Sequence, residues 1–503
     1  MKSLLIRNHN HKINRLVIVL FALCLLGSCK KSDPTPPVIP PVVVPPVLPP
    51  AAFDINSITD TYDAISSFAN YSKWSVYNVH DPSIMKTGEY YYSYSTDVGF
   101  GLDVRSGIQV RKSKDLVEWN FVGWVFDKLP AMGAGYITAQ GGTPFNSLWA
   151  PYIMKSGNEY RLYYSLSSAV SRLSVIGLAT AASPEGTWTE RGLVVTSKND
   201  GITQTNAIDP TVVVTPAGEP WMYYGSAYDG IYALKLDPAT GLALSNGDKG
   251  VRIAQRGFTG STINGNIEGA EIIYNATQSK YYIFIAYDWL ETKYNVRVGR
   301  GDNPQGPFFD YNGVDINTVQ DHGPMIVAPY KFQGHSGWQG TAHCSVFKDD
   351  AGQYYMAHQG RPGNSRFSMD MHIRKIFWMQ NGWPVVSPER YAWEPNENVA
   401  KDSLTGQWER IRFGYTVVPG FSVEQTNPDF QVSVNMTIDA AGTINGSAGD
   451  TWTYTAPWLQ LNWSTGTTEK VFVQKGRDWE NKKSTIIFSG LNETGTTIWG
   501  KKK

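Results

Sequence analysis

The sequence predicts an all-β fold: a five-bladed β-propeller followed by a small C-terminal β-barrel or sandwich. Three observations predict it. One hairpin pattern occurs five times, helical periodicity is almost absent between the copies, and the pattern stops after residue 395. A chain of 503 residues is long enough for a large domain and a smaller one.

Each copy of the pattern begins with a short polar motif, continues into an apolar strand, turns, and returns in a second strand rich in aromatic residues. The copies occupy residues 80–93, 149–164, 208–224, 267–284 and 342–357. Four of the turns contain a glycine, and the fourth copy uses Asn275 and Ser279 instead. The spacing of roughly 60 to 75 residues is typical of a four-stranded propeller blade with long connections.

Further strands are expected after each hairpin as the third and fourth strands of a blade. They are predicted at residues 108–112 with 116–119, 177–181 with 186–188, and 296–299 with 306–308. A solenoid and a β-sandwich are the alternatives. Five long copies favour ring closure, and the strands of a sandwich would not repeat one polar motif in the same register. The propeller is therefore the preferred interpretation, over residues 53–395.

The C-terminal segment, residues 396–503, is predicted to be a separate β-domain. Strands are expected at residues 430–438, 459–463, 469–474 and 484–488. The segment is rich in tryptophan, with Trp408, Trp452, Trp458, Trp463, Trp479 and Trp499. Carbohydrate binding and structural packing are equally compatible with these side chains.

The N-terminus carries a targeting signal. Basic residues precede an apolar run at positions 16–26, and the sequence Leu26-Gly27-Ser28-Cys29 then resembles a bacterial lipoprotein signal. The run is shorter than the roughly 20 residues of a transmembrane helix. We therefore expect a signal peptide at residues 1–28, a lipid on Cys29, and a Pro-rich tether at residues 29–52. The mature protein would be anchored in the cell envelope, at the outer membrane or the cell surface.

Composition limits the class of partner. Lys plus Arg and Asp plus Glu both number 44, so the formal net charge is zero and nucleic acid is not an expected partner. Aromatic residues make up 13% of the chain, which suits both strand packing and stacking on sugars. Because Cys24 leaves with the signal, Cys29 and Cys344 remain, and no disulfide is expected. We expect a monomer.

The candidate catalytic residues lie at the start of the repeated motifs. In a propeller the first strand of each blade lines the central axis, so side chains at this position converge. The aligned residues are Asp81, Ala150, Asp209, Glu268 and His343. Three carboxylates and an imidazole could bind a hard cation, or two carboxyl groups could hydrolyse a glycosidic bond. Capping turns before proline would explain both aspartates but not Glu268.

Four ordered motifs resemble glycoside hydrolase family 43, and within it the endo-1,5-α-L-arabinanases. They are Val79-His80-Asp81-Pro82-Ser83, Leu148-Trp149-Ala150-Pro151, Asn206-Ala207-Ile208-Asp209-Pro210 and Ile267-Glu268-Gly269-Ala270. Residues 294–300, 381–388 and 476–481 are also similar to that group. The resemblance implies an inverting mechanism, with Asp81 as general base, Glu268 as general acid and Asp209 as the residue that tunes the acid.

The resemblance also implies that His343 is a ligand of a central calcium ion otherwise held by waters. A metal-free, hydrogen-bonding His343 stays open, because histidine is an unusual partner for a hard cation. Glu271 is a rival acid, although strand alternation points it differently from Glu268. The sequence departs from the family at Tyr152, where many members have Asp, and at Cys344, where Asn is common.

Four residues near the same end of the repeats are candidate substrate contacts: Trp149, Asn206, Tyr228 and Trp289. The predicted function is hydrolysis of internal α-1,5-arabinofuranosyl linkages in arabinan, a pectin side chain. An exo-acting arabinofuranosidase or β-xylosidase of the same family is the first alternative. A non-catalytic glycan-binding lipoprotein is the second.

Overall fold

The structure is a computed structural model, and it describes residues 52–60, 67–98, 104–200, 205–259, 262–263, 265–414 and 425–503. Residues Asp54–Lys503 form one compact unit, and all the elements below belong to it. The predicted signal peptide, Cys29 and the tether up to residue 51 lie outside the described residues. In the described part of the chain, no helix has the length and apolar character to cross a membrane.

Three four-stranded antiparallel sheets form the first part of this unit, after two 3-10 helices at Ile55–Ser57 and Phe68–Lys73. In each sheet the strands pair in chain order. The strands are β1 (Ser83–Thr87), β2 (Tyr90–Ser95), β3 (Gln109–Ser113), β4 (Asn120–Trp124), β5 (Trp149–Ser156), β6 (Glu159–Ser167), β7 (Ser174–Ala181), β8 (Thr189–Ser197), β9 (Thr211–Val214), β10 (Pro220–Tyr224), β11 (Ile231–Lys235) and β12 (Val251–Ala254).

A short hairpin and a fourth sheet of the same kind come next. The hairpin consists of β13 (Phe258–Thr259) and β14 (Thr262–Ile263). The sheet pairs its strands in chain order, namely β15 (Ile267–Asn275), β16 (Lys280–Tyr287), β17 (Asn295–Gly301) and β18 (Met325–Val327).

The fifth repeat differs from the prediction of a separate blade, because it is part of a larger sheet. Its strands are β19 (Tyr330–Lys331), β20 (Trp338–Gln339), β21 (Cys344–Lys348), β22 (Tyr354–Pro362), β23 (Asp370–Trp378) and β24 (Pro384–Val386). Strands β21 to β24 pair in order as in the other sheets. Strand β22 extends beyond β21, and its last two residues pair with β20, which in turn pairs with β19. Among the described residues the repeats therefore form four separate four-stranded sheets and one seven-stranded sheet, whose seventh strand, Gln431–Val432, pairs with β19.

The C-terminal part is a closed eight-stranded barrel that follows a 3-10 helix at Lys401–Leu404. The barrel strands are β25 (Gly406–Arg412), β27 (Val434–Ile438), β28 (Thr443–Ile444), β29 (Ser447–Thr455), β30 (Trp458–Asn462), β31 (Thr468–Asp478), β32 (Lys483–Asn492) and β33 (Thr497–Lys502). The short strand β26 (Gln431–Val432) lies between β25 and β27 in the chain but pairs with β19 in the seven-stranded sheet.

The barrel tryptophans act mainly in packing. Trp408, Trp452, Trp479 and Trp499 are buried. Trp499 belongs to a core that also contains Val298 and Met356, so the barrel packs directly on the repeats. Between the two roles considered for these tryptophans, the burial favours a structural one.

The first strands of the five repeats lie side by side. Strand β1 contacts β5, β5 contacts β9, β9 contacts β15, β15 contacts β21, and β21 contacts β1. The arrangement is propeller-like, and the apolar residues between neighbouring sheets form its core, for example Tyr94 with Leu162 and Tyr223 with Ile283. All five first strands start at the same end, so the residues just before them converge.

The hairpin predictions are confirmed in all five repeats, but the predicted fourth strands are wrong. The structure places these strands at β4, β8 and β18, each later in the chain. In the first repeat the predicted segment is a turn. Leu116 has φ 68°, and the Asp115 carboxylate accepts hydrogen bonds from the backbone N–H groups of Val117 and Glu118. Such side-chain to backbone bonds compete with strand pairing.

One α-helix, α1 (Ala131–Ala139), is present where the sequence predicted none. Its apolar residues do not follow the helical period, so the pattern gives no signal. The carboxylate of Glu190, on β8, accepts hydrogen bonds from Met132 N and Gly133 N. A distant residue thus satisfies the first amides of the helix.

Candidate active site

A left-handed residue marks the start of every first strand. The backbone φ angle lies between 35° and 60° at Asp81, Ala150, Asp209, Gly269 and His343. This conformation is uncommon for residues other than glycine, so five occurrences at one place define the equivalent positions of the repeats.

The sequence alignment of the fourth repeat is one residue out of register with the structure. Gly269, and not Glu268, is the equivalent of Asp81 and Asp209. Strand β15 has a pairing irregularity between Glu268 and Glu271 that shifts the register. Such a bulge redirects a side chain. Glu268 thus belongs to the position before the left-handed residue, together with His80, Trp149, Ile208 and Ala342.

Three donors surround the carboxylate of Asp81, which is 6% exposed. His343 Nδ1 lies 2.9 Å from Oδ1, and His80 Nδ1 lies 2.6 Å from Oδ2. Thr96 Oγ1 donates to Oδ2 at 2.6 Å, because it already accepts a hydrogen bond from Ala150 N. Burial alone would raise the pKa of Asp81, but His343 and His80 hold it well below the usual range. Asp81 is therefore ionised.

Glu268 is partly exposed and has a hydroxyl donor on each oxygen. Ser226 Oγ donates to Oε2 at 2.6 Å, and Tyr294 OH donates to Oε1 at 2.8 Å. Burial and the nearby charges of Glu268 and Asp209 raise the pKa of Tyr294 well above its ordinary value. The phenol therefore keeps its proton and acts as a permanent donor to Glu268.

Asp209 lies next to both other acids. Its Oδ2 accepts a hydrogen bond from Gly269 N at 3.1 Å, and its own N–H donates to Ser165 Oγ at 3.1 Å. Burial raises the pKa of Asp209 well above its usual range; His343 opposes this rise, and the charges of Glu268 and Asp81 add to it. The two aspartates are thus pushed in opposite directions, Asp81 toward the ionised form and Asp209 toward the protonated form.

His343 carries a proton in this arrangement. Burial lowers its pKa, but Asp81, with smaller contributions from Asp209 and Glu268, raises it to about 9. The protonated ring donates from Nδ1 to Asp81 and offers no free lone pair to a cation.

The described residues supply few ligands for a calcium ion at His343. Within those residues, the one group of three or more acid, His or Cys side chains at metal-binding spacing is Glu389, Asp478 and Glu480, which does not include His343. A calcium ion at His343 would have to displace the ring proton and take waters as its other ligands. Calcium at His343 therefore stays a prediction, in which waters supply most of the ligands.

Two of the predicted substrate contacts are half-buried aromatic residues at the same end of the repeats. Trp149 stacks on Phe145 with ring centroids 5.3 Å apart, and its Nε1 donates to Ser147 Oγ at 2.7 Å. The Tyr228 hydroxyl lies 2.8 Å from Ser171 Oγ. Neighbouring side chains hold both rings in place.

The other two predicted contacts lie beside residues of the site. Asn206 donates from its backbone N to Ser226 O at 3.3 Å, next to the donor of Glu268. Trp289 lies in the β16–β17 loop, which ends at Tyr294. Asn206 Oδ1 and Trp289 Nε1 are buried and have no hydrogen-bond partner among the described residues.

Several residues that contact the acids were missed in the sequence, and most lie at the ends of second strands. Thr96 and Ser226 donate to Asp81 and Glu268, and Ser165 accepts from Asp209 N. Gln359 Oε1 accepts from Asp81 N at 2.8 Å. A second strand runs antiparallel to the first, so its last residues lie beside the start of the first strand. Polar residues after the Tyr-rich strands were therefore the available signal.

Comparison with known protein families identifies the family of this chain. The family model for glycosyl hydrolases family 43 matches residues 75–384, and this range contains every acid of the site. The chain belongs to glycoside hydrolase family 43. Residues 388–500 of this family 43 protein match a C-terminal lipocalin-like domain, in agreement with the closed barrel.

Relatives of this family 43 protein match it over both domains. An extracellular endo-α-(1→5)-L-arabinanase of Thermotoga petrophila is 27% identical over 85% of this chain and 94% of the relative. An extracellular endo-α-(1→5)-L-arabinanase of Bacillus subtilis is 26% identical over 84% of this chain and 93% of the relative. The crystal structure of the endo-1,5-α-L-arabinanase from Thermotoga petrophila matches with a TM-score of 0.73 at 26% identity, and covers 86% of this chain and 99% of that one.

Gly269→Ala is expected to reduce the activity of this family 43 protein. A Cβ at Gly269 would lie 2.8 Å from His343 Nδ1, in a backbone with φ 54°. Moving the imidazole away from Asp81 should lower kcat by about 10²-fold. Gly88→Ala is the matched control, because Gly88 has φ 57° and a Cβ there would meet nothing within 4 Å. Equal kcat in the two variants would contradict the expected effect.

Asp97 predicts a pH-dependent contribution to stability. Its carboxylate accepts backbone N–H bonds from Gly107 and Ile108 at 2.7 Å and Leu148 at 2.8 Å. Burial outweighs these donors and raises the pKa of Asp97 from 3.8 to about 7. The folded state therefore holds the proton more tightly than the unfolded state. Its contribution to stability is complete below pH 4 and declines by about 4 kcal/mol as the pH rises to 7.

The Asp97→Asn variant should lack this slope. Urea unfolding of both proteins at several pH values measures this slope. The difference in unfolding free energy between wild type and Asp97→Asn is expected to change steadily between pH 4 and 7, because only wild type loses the contribution of Asp97. A difference that does not change with pH would contradict the shifted pKa.

Proposed function

We propose that this protein is an endo-acting, inverting α-1,5-arabinanase. The observation that carries the proposal is the presence of an ionised Asp81 and a partly exposed Glu268 where the first strands of the repeats converge, in a family 43 chain. Glycoside hydrolysis requires one ionised and one protonated carboxyl group on opposite sides of the scissile bond. The two relatives named above, which match over both domains, are endo-arabinanases by name.

In the proposed mechanism Asp81 removes a proton from a water molecule as the water attacks the anomeric carbon. Glu268 donates its proton to the glycosidic oxygen as the C–O bond breaks. Tyr294 and Ser226 then stabilise the Glu268 carboxylate that remains, since each donates to one of its oxygens. Inversion leaves room for the water when the two carboxyl groups are about 6.5–9.5 Å apart.

Glu268 is a better general acid than Asp209 because of its exposure. Asp209 is only 6% exposed, and its Oδ2 accepts a hydrogen bond from Gly269 N. Glu268 is partly exposed, so its proton can reach a substrate oxygen. The raised pKa of Asp209 also favours its neutral form, which limits the negative charge beside Asp81 and Glu268.

Product analysis tests this proposal. The protein is incubated with linear arabinan, arabinoxylan and aryl-glycosides, and products are sized at early times. A ladder of oligosaccharides from linear arabinan alone is the expected result. Release of monosaccharide only would indicate exo action, and binding without new reducing ends would indicate a glycan-binding protein.

We also propose that strands β21 to β24 act as a fifth propeller blade within the seven-stranded sheet. The contacts of β21 with both β15 and β1 support this closure. A closed ring brings the first and fifth repeats together, and the Asp81 and His343 bond joins these two repeats.

The membrane anchor is a separate proposal. The motif that ends at Cys29 supports export and lipid attachment, and the relatives are named extracellular enzymes. The Cys29→Ser variant should lose incorporation of a labelled fatty acid and leave the membrane fraction. Continued labelling of that variant would contradict attachment at Cys29.

A calcium ion near His343 is proposed from the family resemblance alone. If calcium binds there, a chelator should lower both the activity and the melting temperature, and added calcium should restore both. Unchanged melting in excess chelator would favour the metal-free His343 with its Asp81 bond.

A further inference from the structure

A second set of equivalent residues lies two positions after the left-handed residue in each repeat. Side chains at this position link neighbouring first strands, and we call the set the inter-strand belt. Its members are Ser83, Tyr152, Thr211, Glu271 and Ser345. Tyr152, which departs from the family pattern, and Glu271, the rival acid, are both members of this belt.

Three belt residues each make one bond to the next strand. Ser83 Oγ accepts from Ile153 N at 3.2 Å, which joins β1 to β5. The Tyr152 hydroxyl donates to Val212 O at 2.7 Å, which joins β5 to β9. Ser345 Oγ accepts from Ile84 N at 3.1 Å, which joins β21 to β1.

Glu271 makes the two remaining links of the belt. Its Oε1 accepts from Val346 N at 3.0 Å, and its Oε2 accepts from the Thr211 hydroxyl at 2.8 Å. The side chain is buried, with 5% exposure. One carboxyl group therefore joins β15 to β21 on one side and to β9 on the other.

The three strands that Glu271 joins are those that carry most of the candidate active site. Thr211 lies two residues after Asp209, and Val346 lies three residues after His343. Glu271 itself lies three residues after Glu268, on the other side of the pairing irregularity in β15. The Asp209 bond to Gly269 N at 3.1 Å depends on the same relative placement of β9 and β15.

We propose that Glu271 is a positioning residue for hydrolysis: it holds β9, β15 and β21 in the alignment that places Asp209, Glu268 and His343 together. It does so through its bonds to Thr211 and Val346 and without touching substrate. The inference rests on the proposed hydrolytic function.

Two substitutions at Glu271 distinguish the loss of its hydrogen bonds from the loss of its charge. A glutamine can accept from Val346 N through Oε1 and donate from Nε2 to the Thr211 hydroxyl oxygen. A leucine is apolar and one atom shorter, and it leaves Val346 N and the Thr211 hydroxyl buried without this partner, which is costly and displaces the strands. The conservative variant should therefore rescue activity, and the apolar variant should not.

The experiment measures kcat, KM and melting temperature on linear arabinan for wild type, Glu271→Gln, Glu271→Leu and Tyr152→Phe. Tyr152→Phe is the matched control, since it removes one belt bond from β5, a first strand whose left-handed residue is Ala150. We expect Glu271→Leu to lose about 10²-fold in kcat with KM within about threefold, as for displaced catalytic groups. Glu271→Gln and Tyr152→Phe should keep kcat within about threefold, although Tyr152→Phe melts earlier.

Thr211→Val provides a second test if Glu271→Leu does not fold. It removes only the donor to Oε2, and about tenfold lower kcat with unchanged KM is expected. Wild-type kcat in Glu271→Leu or Thr211→Val would overturn the inference, and so would equal losses in Glu271→Gln and Glu271→Leu. A wild-type protein inactive on arabinan would contradict the proposed function instead.

Discussion

Glu268→Gln and Asp81→Asn are each expected to lower kcat on linear 1,5-arabinan by about 10²-fold or more, because general acid and base steps contribute about 10² to 10⁴ each. Both changes keep the size of the side chain. The glutamine cannot deliver a proton to the leaving oxygen, and the asparagine cannot remove one from water. Initial rates of reducing-end formation under saturating substrate measure the effect.

The bonds around the two acids make this a test of chemistry and not of folding. In the Glu268→Gln variant the amide oxygen can still accept a hydrogen bond from the Tyr294 hydroxyl, because an amide oxygen is also an acceptor. Glu219→Gln is a matched control, because Glu219 is 46% exposed and paired with Lys235 outside the site. Activity within a few-fold of wild type in Glu268→Gln would remove Glu268 from the role of general acid.

Lys501→Met is expected to cause the largest loss of stability. Lys501 is 2% exposed, and its ammonium group lies 2.8 Å from Glu389, 3.1 Å from Asp478 and 2.5 Å from Glu480. Removing the cation leaves three carboxylates together in a buried place. Loss of one partner of a buried ionic cluster costs about 3–5 kcal/mol. Urea unfolding at neutral pH measures the change.

The cluster connects the two parts of the described unit, because Lys501 lies on β33 of the barrel and Glu389 follows β24 of the repeats. It also gives the three acids at metal-binding spacing a counter-ion, the Lys501 ammonium group. Lys475→Met is the matched control, since Lys475 and Glu397 are 49% and 57% exposed. Its cost should be below about 1 kcal/mol, and equal losses in the two variants would contradict the cluster's role.

The sequence was sufficient for the hairpins and for three acids at one end of the fold. Both follow from local rules, namely strand alternation, turns between the paired strands, and the convergence of first strands. The fourth strands were mispredicted because side chains such as Asp115 bond to the backbone and form a turn where the pattern is apolar. The helix was missed because its N-terminal amides are satisfied by Glu190, 57 or more residues away in sequence.

The one-residue error at Glu268 has a similar cause. The repeats align by their residue with positive φ, which in the fourth copy is Gly269. The pairing irregularity in β15 does not distinguish this copy, since β5 has the same irregularity between Trp149 and Tyr152. The donors to the acids, Thr96 and Ser226, come from other strands and appear only when the sheets are assembled.

Proton NMR of the earliest products from linear 1,5-arabinan tests the central claim most directly. With Asp81 activating water and Glu268 protonating the leaving oxygen, the new reducing ends should first appear in the β configuration, opposite to the α linkage. New ends that first appear in the α configuration would contradict the assignment of Asp81 as base. An absence of new reducing ends would contradict hydrolysis of arabinan itself.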